Sequence, residues 1–212
     1  MPAGNLVQQI ERRLALARVA SPSPAAVAPA LATYLELLAR WNKRINLTAY
    51  SLDSPSDDAI DRLIVEPVAM ARFVRPDDRV TIDVGSGGGS PALPFRLAAP
   101  SLRQVLVESR VRKAAFLREA VRQLGMEGVR VENCRLEEMS GDKGSAHIVT
   151  MRAVRSDAAL LRAVQALMVP GGRFFWLTTE KVRQGAVGGF EVEAVESLVA
   201  DRPGQLAILR PT

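Results

Sequence analysis

The sequence predicts an α/β protein in which a doubly wound, mostly parallel sheet follows an N-terminal cap of helices. Three observations lead to this prediction. Apolar residues recur at helical spacing up to about residue 76, short β-branched runs alternate with helical stretches from residue 79, and a glycine-rich loop follows the first of these runs. We therefore expect a helical cap over residues 1–76 and a sheet domain over residues 77–212, which together form one compact unit.

Three helices are expected in the cap. Residues 5–19 carry apolar side chains at helical spacing, and Pro22 and Pro24 interrupt the chain after them. A second helix has one apolar face, made of Leu31, Leu35, Leu38 and Trp41. A loop over residues 46–58, rich in Ser, Asp and Pro, precedes a third helix over residues 60–74.

The sheet domain is expected to start with five parallel strands. Their ranges are residues 80–84, 104–107, 129–132, 147–151 and 173–177. Three helices are expected between them, over residues 91–98, 112–124 and 157–167. The C-terminal region is less distinct: residues 191–199 and 206–209 could be two closing strands that form an antiparallel pair.

The composition excludes several kinds of site. Cys134 is the only cysteine and His147 the only histidine, so an intrachain disulfide and cysteine- or histidine-based metal sites are ruled out, and we expect no metal. His147 lies in an apolar, strand-like run, where a structural role is expected before a catalytic one. No stretch reaches the roughly 20 apolar residues of a membrane span, and the first helix is charged at its centre, unlike a signal peptide. A cytoplasmic protein is expected.

The charge of the chain is compatible with a polyanionic partner. The net charge is +5 and the pI about 10.0, although 28 basic residues face 23 acidic ones and a simple effect on solubility is the alternative. Basic residues concentrate between Arg110 and Arg135, which makes this segment the better candidate for a phosphate-facing surface.

A glycine-rich loop directly follows the first predicted strand. Asp83, Gly85, Gly87 and Gly89 match the pattern acid-x-G-x-G-x-G of class I S-adenosylmethionine (AdoMet) methyltransferases, whereas the dinucleotide pattern G-x-G-x-x-G/A fails at Ser90. Glycines allow positive φ angles and a close approach of ligand to backbone, and the following helix offers free N–H groups. We expect this loop to hold AdoMet, with Asp83 placing its cationic amino-acid end. A glycine turn without a ligand is the alternative.

The next two strand ends also carry candidate cofactor residues. Glu108 ends the second strand, 25 residues after Asp83, where a carboxylate can accept hydrogen bonds from both ribose hydroxyls. NAD-binding proteins use the same device, and a cap for the following helix is the structural alternative. The third strand leads into residues 134–138, whose backbone would lie near the adenine.

These residues resemble a known family. The segment 41–48 (WNKRINLT) is similar to the W-N-x-x-x-N-L-T signature of bacterial small-subunit rRNA guanine-N7 methyltransferases, also called glucose-inhibited division protein B. The similarity extends from about residue 30 to the end of the chain. It includes segments 82–87, 108–109, 112–113, 116–118, 135–138, 152–153 and 171–174.

The resemblance implies a Rossmann-like class I fold, AdoMet as cofactor, and 16S rRNA or the small ribosomal subunit as substrate. The sequence does not determine the oligomeric state, and a monomer is expected. The resemblance places cofactor contacts on five positions: Gly85, Ser90, Leu136, Glu137 and Arg152. Arg152 also follows the fourth predicted strand, so its position in the sheet points to the same edge, where a guanidinium could bind the AdoMet carboxylate or an RNA phosphate.

The chain departs from the family pattern at three places. Residues 62–67 read RLIVEP where the family has R-H-x-x-D-S, residues 87–92 read GGGSPA in place of G-P-G-x-P-G, and Thr178 replaces an expected lysine. These departures motivate two alternatives to an rRNA guanine-N7 methyltransferase: a methyltransferase with another substrate, and a non-catalytic RNA-binding or AdoMet-sensing relative. An NAD-dependent oxidoreductase is a further alternative, which Ser90 disfavours.

Guanine N7 has an in-plane lone pair and no proton to remove, so its methylation requires no general base. The protein must hold N7 and the methyl carbon at near-attack distance. The sequence therefore indicates no particular catalytic residue. The target base must be unstacked, and the segment from Arg110 to Arg135, with Lys43 and Arg44, would supply phosphate contacts.

Overall fold

The N-terminal region of the computed structural model, which describes residues 3–139, 141–152, 157–182 and 185–212, begins with two long helices. Helix α1 spans Ala3–Leu16 and α2 spans Pro24–Asn42. Pro24 occupies the first turn of α2, where its missing N–H leaves no hydrogen bond unmade. Both predicted helices are present, and both bury one apolar face. The buried residues include Ile10, Leu14, Leu31 and Leu38.

The third predicted helix is not a single regular helix. It begins earlier, at α3 (Asp57–Ile60), passes through a π-helical turn (Asp61–Val65) into α4 (Glu66–Ala69), and ends in a 3-10 turn (Met70–Phe73). Ser56 starts it, because its hydroxyl accepts from the Ala59 N–H. The physical reason for the π-helical turn lies at Pro67, which has no N–H to offer the Leu63 carbonyl four residues earlier.

Eight strands form one sheet in the order β3-β2-β1-β4-β5-β8-β7-β6. Their bounds are β1 Val80–Val84, β2 Arg103–Val107, β3 Val129–Glu132, β4 Ala146–Arg152, β5 Met168–Thr178, β6 Ala186–Val187, β7 Phe190–Ser197 and β8 Gln205–Pro211. The pairings from β3 to β5 are parallel, and those from β5 to β6 are antiparallel. The five predicted parallel strands and the closing antiparallel pair are confirmed, and β6 is an additional short strand.

Helices cover both faces of the sheet. Helices α5 (Ala92–Ala98) and α6 (Val111–Gln123) lie on one face with the cap helices, and α7 (Ala158–Leu167) lies on the other. One apolar cluster joins the cap to α6, since Leu31 and Leu38 share it with Phe116. The doubly wound prediction is therefore confirmed, while the division of the chain at residue 76 stays a prediction.

The strand order reverses between β1 and β4, because β2 and β3 extend one way and β5 the other. In doubly wound sheets a ligand binds outside the carboxyl ends of the strands at this switch point. Residues that follow β1 and β4 therefore lie where a ligand is expected. Within the described residues, no helix is long and apolar enough to cross a membrane, and no group of His, Cys, Asp and Glu side chains is arranged to hold a metal ion.

Candidate functional site

The glycine loop follows β1 at the switch point and adopts a conformation that only glycine tolerates well. Gly85, Gly87 and Gly89 have φ angles of 71°, 50° and 85°. Two successive N–H groups, of Gly85 and Ser86, donate to the Val107 carbonyl at 2.9 and 3.0 Å, which ties the loop to the end of β2. Backbone hydrogen bonds to the end of β2 therefore hold the loop in place.

Asp83 lies beneath this loop and carries an unusual buried carboxylate. It is 1% exposed; its Oδ1 accepts from the Thr150 hydroxyl at 2.5 Å, whereas Oδ2 has no hydrogen-bond partner. Burial raises the pKa of Asp83 to about 6, against the opposing effect of the hydrogen bond from Thr150. A buried, unpartnered carboxylate oxygen costs free energy that a cationic ligand group would recover.

Glu108 ends β2 and is 6% exposed. Its Oε2 accepts from the Gly87 N–H at 2.9 Å, and its Oε1 accepts from the Arg110 N–H at 2.8 Å. The helix after β2 begins without a side-chain cap, so the capping role offered as an alternative is wrong, and the contact with Gly87 shows that Glu108 supports the glycine loop. Each oxygen keeps a lone pair, so a ribose contact stays a prediction.

The segment after β3 forms a short 3-10 turn over Leu136–Glu138. Leu136 is buried against the core on the α7 side of the sheet, and Glu137 is exposed. Glu138, rather than Glu137, closes the turn, because its carboxylate accepts from the Arg135 N–H at 2.9 Å. Adenine contacts at Leu136 and Glu137 stay a prediction.

Arg152 ends β4, next to β1, and the structure brings it against the glycine loop. Its guanidinium donates to the Ser90 hydroxyl at 3.1 Å and to the Glu66 carboxylate at 2.9 Å, and its side chain is 8% exposed. Burial lowers the pKa of Arg152 to about 10, although the nearby Glu66 acts in the opposite direction. Ala153, the next residue of the family motif, lies outside the described residues.

The π-helical turn of the cap supplies the other contacts to Arg152 and Ser90. The Glu66 N–H donates to the backbone carbonyl of Asp61, five residues earlier. The Arg62 carbonyl therefore lacks the donor it would have in an α-helix, and it accepts from the Arg152 guanidinium instead. The Leu63 carbonyl, which Pro67 cannot serve, accepts from the Ser90 hydroxyl at 2.8 Å. Such turns are frequent at functional sites because they release backbone groups in this way.

The octapeptide 41–48 forms the turn that closes the cap onto the loop. The Asn42 side chain accepts from the N–H groups of Leu47 and Thr48 at 2.9 and 3.0 Å and donates to the Thr48 carbonyl at 3.1 Å. The turn approaches the loop so closely that a Cβ added at Gly88 would lie 2.8 Å from the Leu47 carbonyl oxygen. Tyr34 donates to the Gly88 carbonyl at 2.7 Å on the same side.

These elements enclose a cavity of about 320 Å³. The glycine loop from Gly85 to Ser90 forms one wall, and the cap residues Thr48, Tyr50 and Arg62 form another. Lys113 and Arg152 add positive charge. The sequence analysis did not name Thr150, and it named Lys113 only within the basic segment and Glu66 only as a departure from the family pattern. Nothing in their local sequence marks the long-range contacts that bring them here.

Two further motif positions have structural roles. Arg173, within the G-G-R-F motif, forms a buried ion pair with Asp78 at 2.6 Å and donates to the Phe73 carbonyl. Thr178 ends β5, where its hydroxyl accepts from the Glu180 N–H at 3.0 Å. His147 lies in β4 and not among the residues that line the cavity, as expected for a structural histidine.

The residues present fit AdoMet. The unpartnered oxygen of Asp83 suits an ammonium group, and the backbone of Gly87 is open on the side where a side chain would stand. Asp83 and Glu108 adjoin the glycine loop without lining the cavity themselves. A dinucleotide would instead place a pyrophosphate here, which the buried carboxylate of Asp83 disfavours.

Comparison with known proteins identifies the family. The family model for rRNA small subunit methyltransferase G (GidB) matches residues 28–200. A relative of that name from Stenotrophomonas maltophilia is 41% identical over 148 residues, which cover 70% of this chain and 67% of the relative. Another from Nitratidesulfovibrio vulgaris is 33% identical over 187 residues, which cover 86% and 84%.

Solved structures establish the fold independently. Mitomycin 7-O-methyltransferase MmcR has a TM-score of 0.61 at 17% identity, covering 100% of this chain and 69% of that one. A SAM-dependent methyltransferase from Aquifex aeolicus has a TM-score of 0.55 at 14% identity, covering 70% and 90%. The chain has the class I methyltransferase fold and belongs to the rRNA small subunit methyltransferase G family.

Proposed function

We propose that this protein transfers the methyl group of AdoMet to N7 of a guanine in 16S rRNA. The observation that carries the proposal is the unpartnered, buried Oδ2 of Asp83 beneath a positive-φ glycine loop at the switch point of the sheet. In a member of this family, that arrangement supports a site for a ligand with a cationic amino-acid end. The cytoplasm is the compartment we expect, and small ribosomal subunits or their RNA are the substrates we expect for a monomeric enzyme.

AdoMet supplies an electrophilic methyl group on its sulfonium. For the chain's own residues we propose that Asp83 binds the ammonium group, that Glu108 accepts from the ribose, and that Leu136 and Glu137 contact the adenine side. Gly85, Gly87 and Ser90 keep the loop backbone open to the ligand. Arg152 is a positioning residue: it ties Ser90 to Glu66 and so holds the loop against the cap.

No proton has to leave guanine N7 when it is methylated, so the chain needs no general base. Its contribution is to orient the two reactants and exclude water from the cavity, which a site without an available histidine can do. We assign no catalytic residue on this ground.

The test is transfer of labelled methyl from AdoMet to small ribosomal subunits, and to free rRNA, from a strain that lacks this protein. We expect incorporation into 16S rRNA, and chain cleavage at the product after borohydride and aniline treatment, which is specific for N7-methylguanine. Asp83→Ala should abolish both AdoMet binding and incorporation. Unchanged AdoMet affinity in this variant would show that the ligand does not use the glycine loop.

A second candidate, a methyltransferase with another substrate, is favoured by one observation. Leu63 lines the cavity where the family has histidine, and Glu66, which replaces aspartate, contacts the lining residue Arg152. AdoMet binding by calorimetry without any incorporation into ribosomal RNA would support this candidate or a non-catalytic relative. Tight NAD binding without AdoMet binding would contradict both.

A further inference from the structure

A second concave surface lies beside the cofactor cavity, between the C-terminal end of α2 and the exposed side of α6. It encloses about 730 Å³, more than twice the volume of the cavity at the glycine loop. None of its lining residues lines the cofactor cavity. We call this surface the α2–α6 groove.

The α2–α6 groove is strongly basic. Four cationic side chains line it, Arg40, Lys43, Arg44 and Arg112, and all four residues are exposed. None of the described residues that line it is acidic. The acids near its rim include Glu36, which lines a neighbouring cavity with Arg40. Of the others, Asp53 pairs with Lys43 at 2.9 Å, and Glu119 pairs with Arg122 at 2.8 Å. Both are exposed pairs, which screen a neighbouring cation only weakly.

The floor of the α2–α6 groove is apolar. Leu37, Trp41 and Ile45 line it between the cations. The Trp41 indole is held by an edge-to-face contact with Phe116, with ring centroids 5.8 Å apart. A half-buried aromatic ring that is fixed in this way can form a stacking surface at little cost in side-chain entropy.

We propose that the α2–α6 groove binds an unpaired strand of the RNA substrate, an inference that rests on the proposed function. Phosphates would meet the four cations, and a base face would lie against Trp41. Duplex RNA presents phosphates and 2′-hydroxyls but hides its base faces, so it would leave the apolar floor without a partner. A single strand offers charge and exposed base faces together, as the groove requires.

The position of the α2–α6 groove relative to the cofactor supports this assignment. Adjacent residues of the same elements face the two sites: Leu37 lines the groove and Leu38 the cavity, and Arg112 lines the groove and Lys113 the cavity. In the turn after α2, Ile45 lines the groove and Leu47 lines the cavity. A strand in the groove therefore lies one wall away from the glycine loop, close enough to deliver a neighbouring, flipped-out nucleotide.

The test compares two double variants of equal charge change. Arg44→Gln with Arg112→Gln removes two groove cations. Arg103→Gln with Arg162→Gln removes two exposed cations elsewhere, at the start of β2 and on α7. The probe is a fluorescein-labelled uridine oligomer of about 12 nucleotides, within the usual site size of single-strand binders, and binding is measured by anisotropy at several salt concentrations. Thermal melting and AdoMet calorimetry check that each variant is folded.

The groove variant should flatten the dependence of log affinity on log salt by about 1.4, at about 0.7 for each lost phosphate contact. If the variant and the unmodified protein have equal affinity near 1 M salt, the affinity of the variant at 0.1 M salt should be about 25-fold lower. The control should keep the slope of the unmodified protein. In the methyl-transfer assay the groove variant should raise KM for rRNA and leave kcat and AdoMet affinity unchanged.

Equal slopes and affinities for the two double variants would overturn the inference. So would competition by polyglutamate as strong as that by RNA, since it would indicate a site for polyanions in general. If the unmodified protein binds the oligomer through the groove but transfers no methyl to rRNA, the proposed function fails while the groove assignment stands.

A second measurement tests the stacking contact. The chain has two tryptophans, Trp41 in the α2–α6 groove and Trp176 in β5. In a Trp176→Phe background, saturating oligomer should quench the remaining fluorescence, and the quenching should disappear in the groove double variant. Emission that does not respond to bound oligomer would contradict a base on Trp41.

Discussion

Replacing Asp83 by asparagine should stabilise the protein when no ligand is bound. Burial raises the pKa of this carboxyl from 3.8 to about 6. The pKa of Asp83 is higher in the folded than in the unfolded protein, so protonation of this carboxyl favours the folded state. That contribution to the free energy of unfolding is fully present below about pH 4 and is lost as the pH rises through about 6. At about 1.36 kcal/mol per pKa unit, the ionised carboxylate costs the fold about 3 kcal/mol at neutral pH.

The asparagine avoids this cost and keeps an oxygen to accept from Thr150. Its amide nitrogen takes the place of the unpartnered Oδ2. If the amide N–H groups find no acceptor, the free energy of unfolding falls by about 1–2 kcal/mol. A net gain of about 1–2 kcal/mol remains, which raises the Tm of a chain of this size by about 2–8 °C. The pH dependence is the sharper prediction: the advantage of the variant should grow by about 2 kcal/mol between about pH 4.5 and pH 7.5.

Chemical denaturation without AdoMet at both pH values measures this difference, because every other group titrates alike in the two proteins. The exposed Asp77→Asn variant is the matched control and should show no growing advantage. A variant that is equally destabilised at both pH values would refute the reasoning, since the ionised Asp83 would then be satisfied within the fold.

The same carboxylate determines how AdoMet affinity depends on pH. A cationic ligand group binds the ionised form, so affinity should be constant between about pH 6 and about pH 7.5 and fall about tenfold per pH unit below pH 6. Above about pH 8 it should fall again, because the ligand's α-ammonium group then loses its proton. The Asp83→Asn variant should lose most of the affinity together with this pH dependence. AdoMet should raise the Tm of the unmodified protein at pH 7.5 and leave that of the variant unchanged.

Three further substitutions test how the cap closes onto the loop. Asn42→Ala removes three hydrogen bonds of the turn and should cost about 1–3 kcal/mol of stability and several-fold in AdoMet affinity, by denaturation and calorimetry. Gly88→Ala places a Cβ 2.8 Å from the Leu47 carbonyl oxygen and should cost about 1–3 kcal/mol by the same measurements. Gly204→Ala places a Cβ 2.0 Å from Glu66 Oε1 and should also lower stability. Because aspartate is shorter, adding Glu66→Asp should recover part of that loss, which a double-mutant cycle measures.

Two variants serve as controls for this group. Asn46→Ala changes an exposed asparagine of the same octapeptide and should leave stability within about 0.5 kcal/mol. At Gly141 an added Cβ meets nothing within 4 Å, so Gly141→Ala should be nearly neutral. If a control variant lost as much stability as its test variant, the loss could not be assigned to the hydrogen bonds of Asn42 or to the steric clashes at Gly88 and Gly204.

Much of the fold could be predicted from the sequence. The bounds of β1 and β3 agree with the prediction, because β-branched runs are bounded there by glycine and charged residues. The third helix could not be predicted as it is. Its π-helical turn depends on Pro67 and on carbonyl contacts to Arg152 and Ser90, which are distant in sequence. A periodicity argument sees only the spacing of the apolar side chains and not the backbone hydrogen bonds that distinguish a π-helical from an α-helical turn.

The candidate site likewise has a part that local sequence predicts and a part that depends on long-range contacts. Asp83 and the glycines belong to one continuous segment, so their spacing alone indicated a ligand loop. The contact of Arg152 with Glu66 joins residues 86 positions apart, and no local pattern encodes it. The role of Asn42 was hidden for another reason: its motif marks a family, but only the structure shows that the side chain closes a turn.

The departures from the family pattern fit one another sterically. Glu66 is longer than the family's aspartate, and the space that its Oε1 occupies is open because residue 204 has no side chain. Gly88 stands where the family has proline, and the Leu47 carbonyl takes up the space that any side chain would need. Pro67 replaces serine, and the carbonyl it leaves without a donor binds Ser90 instead. Each of these three departures is thus filled or bonded by a neighbour and leaves no gap between the cap and the residues around it. A closed arrangement of this kind is what a protein that still binds a ligand at the glycine loop requires.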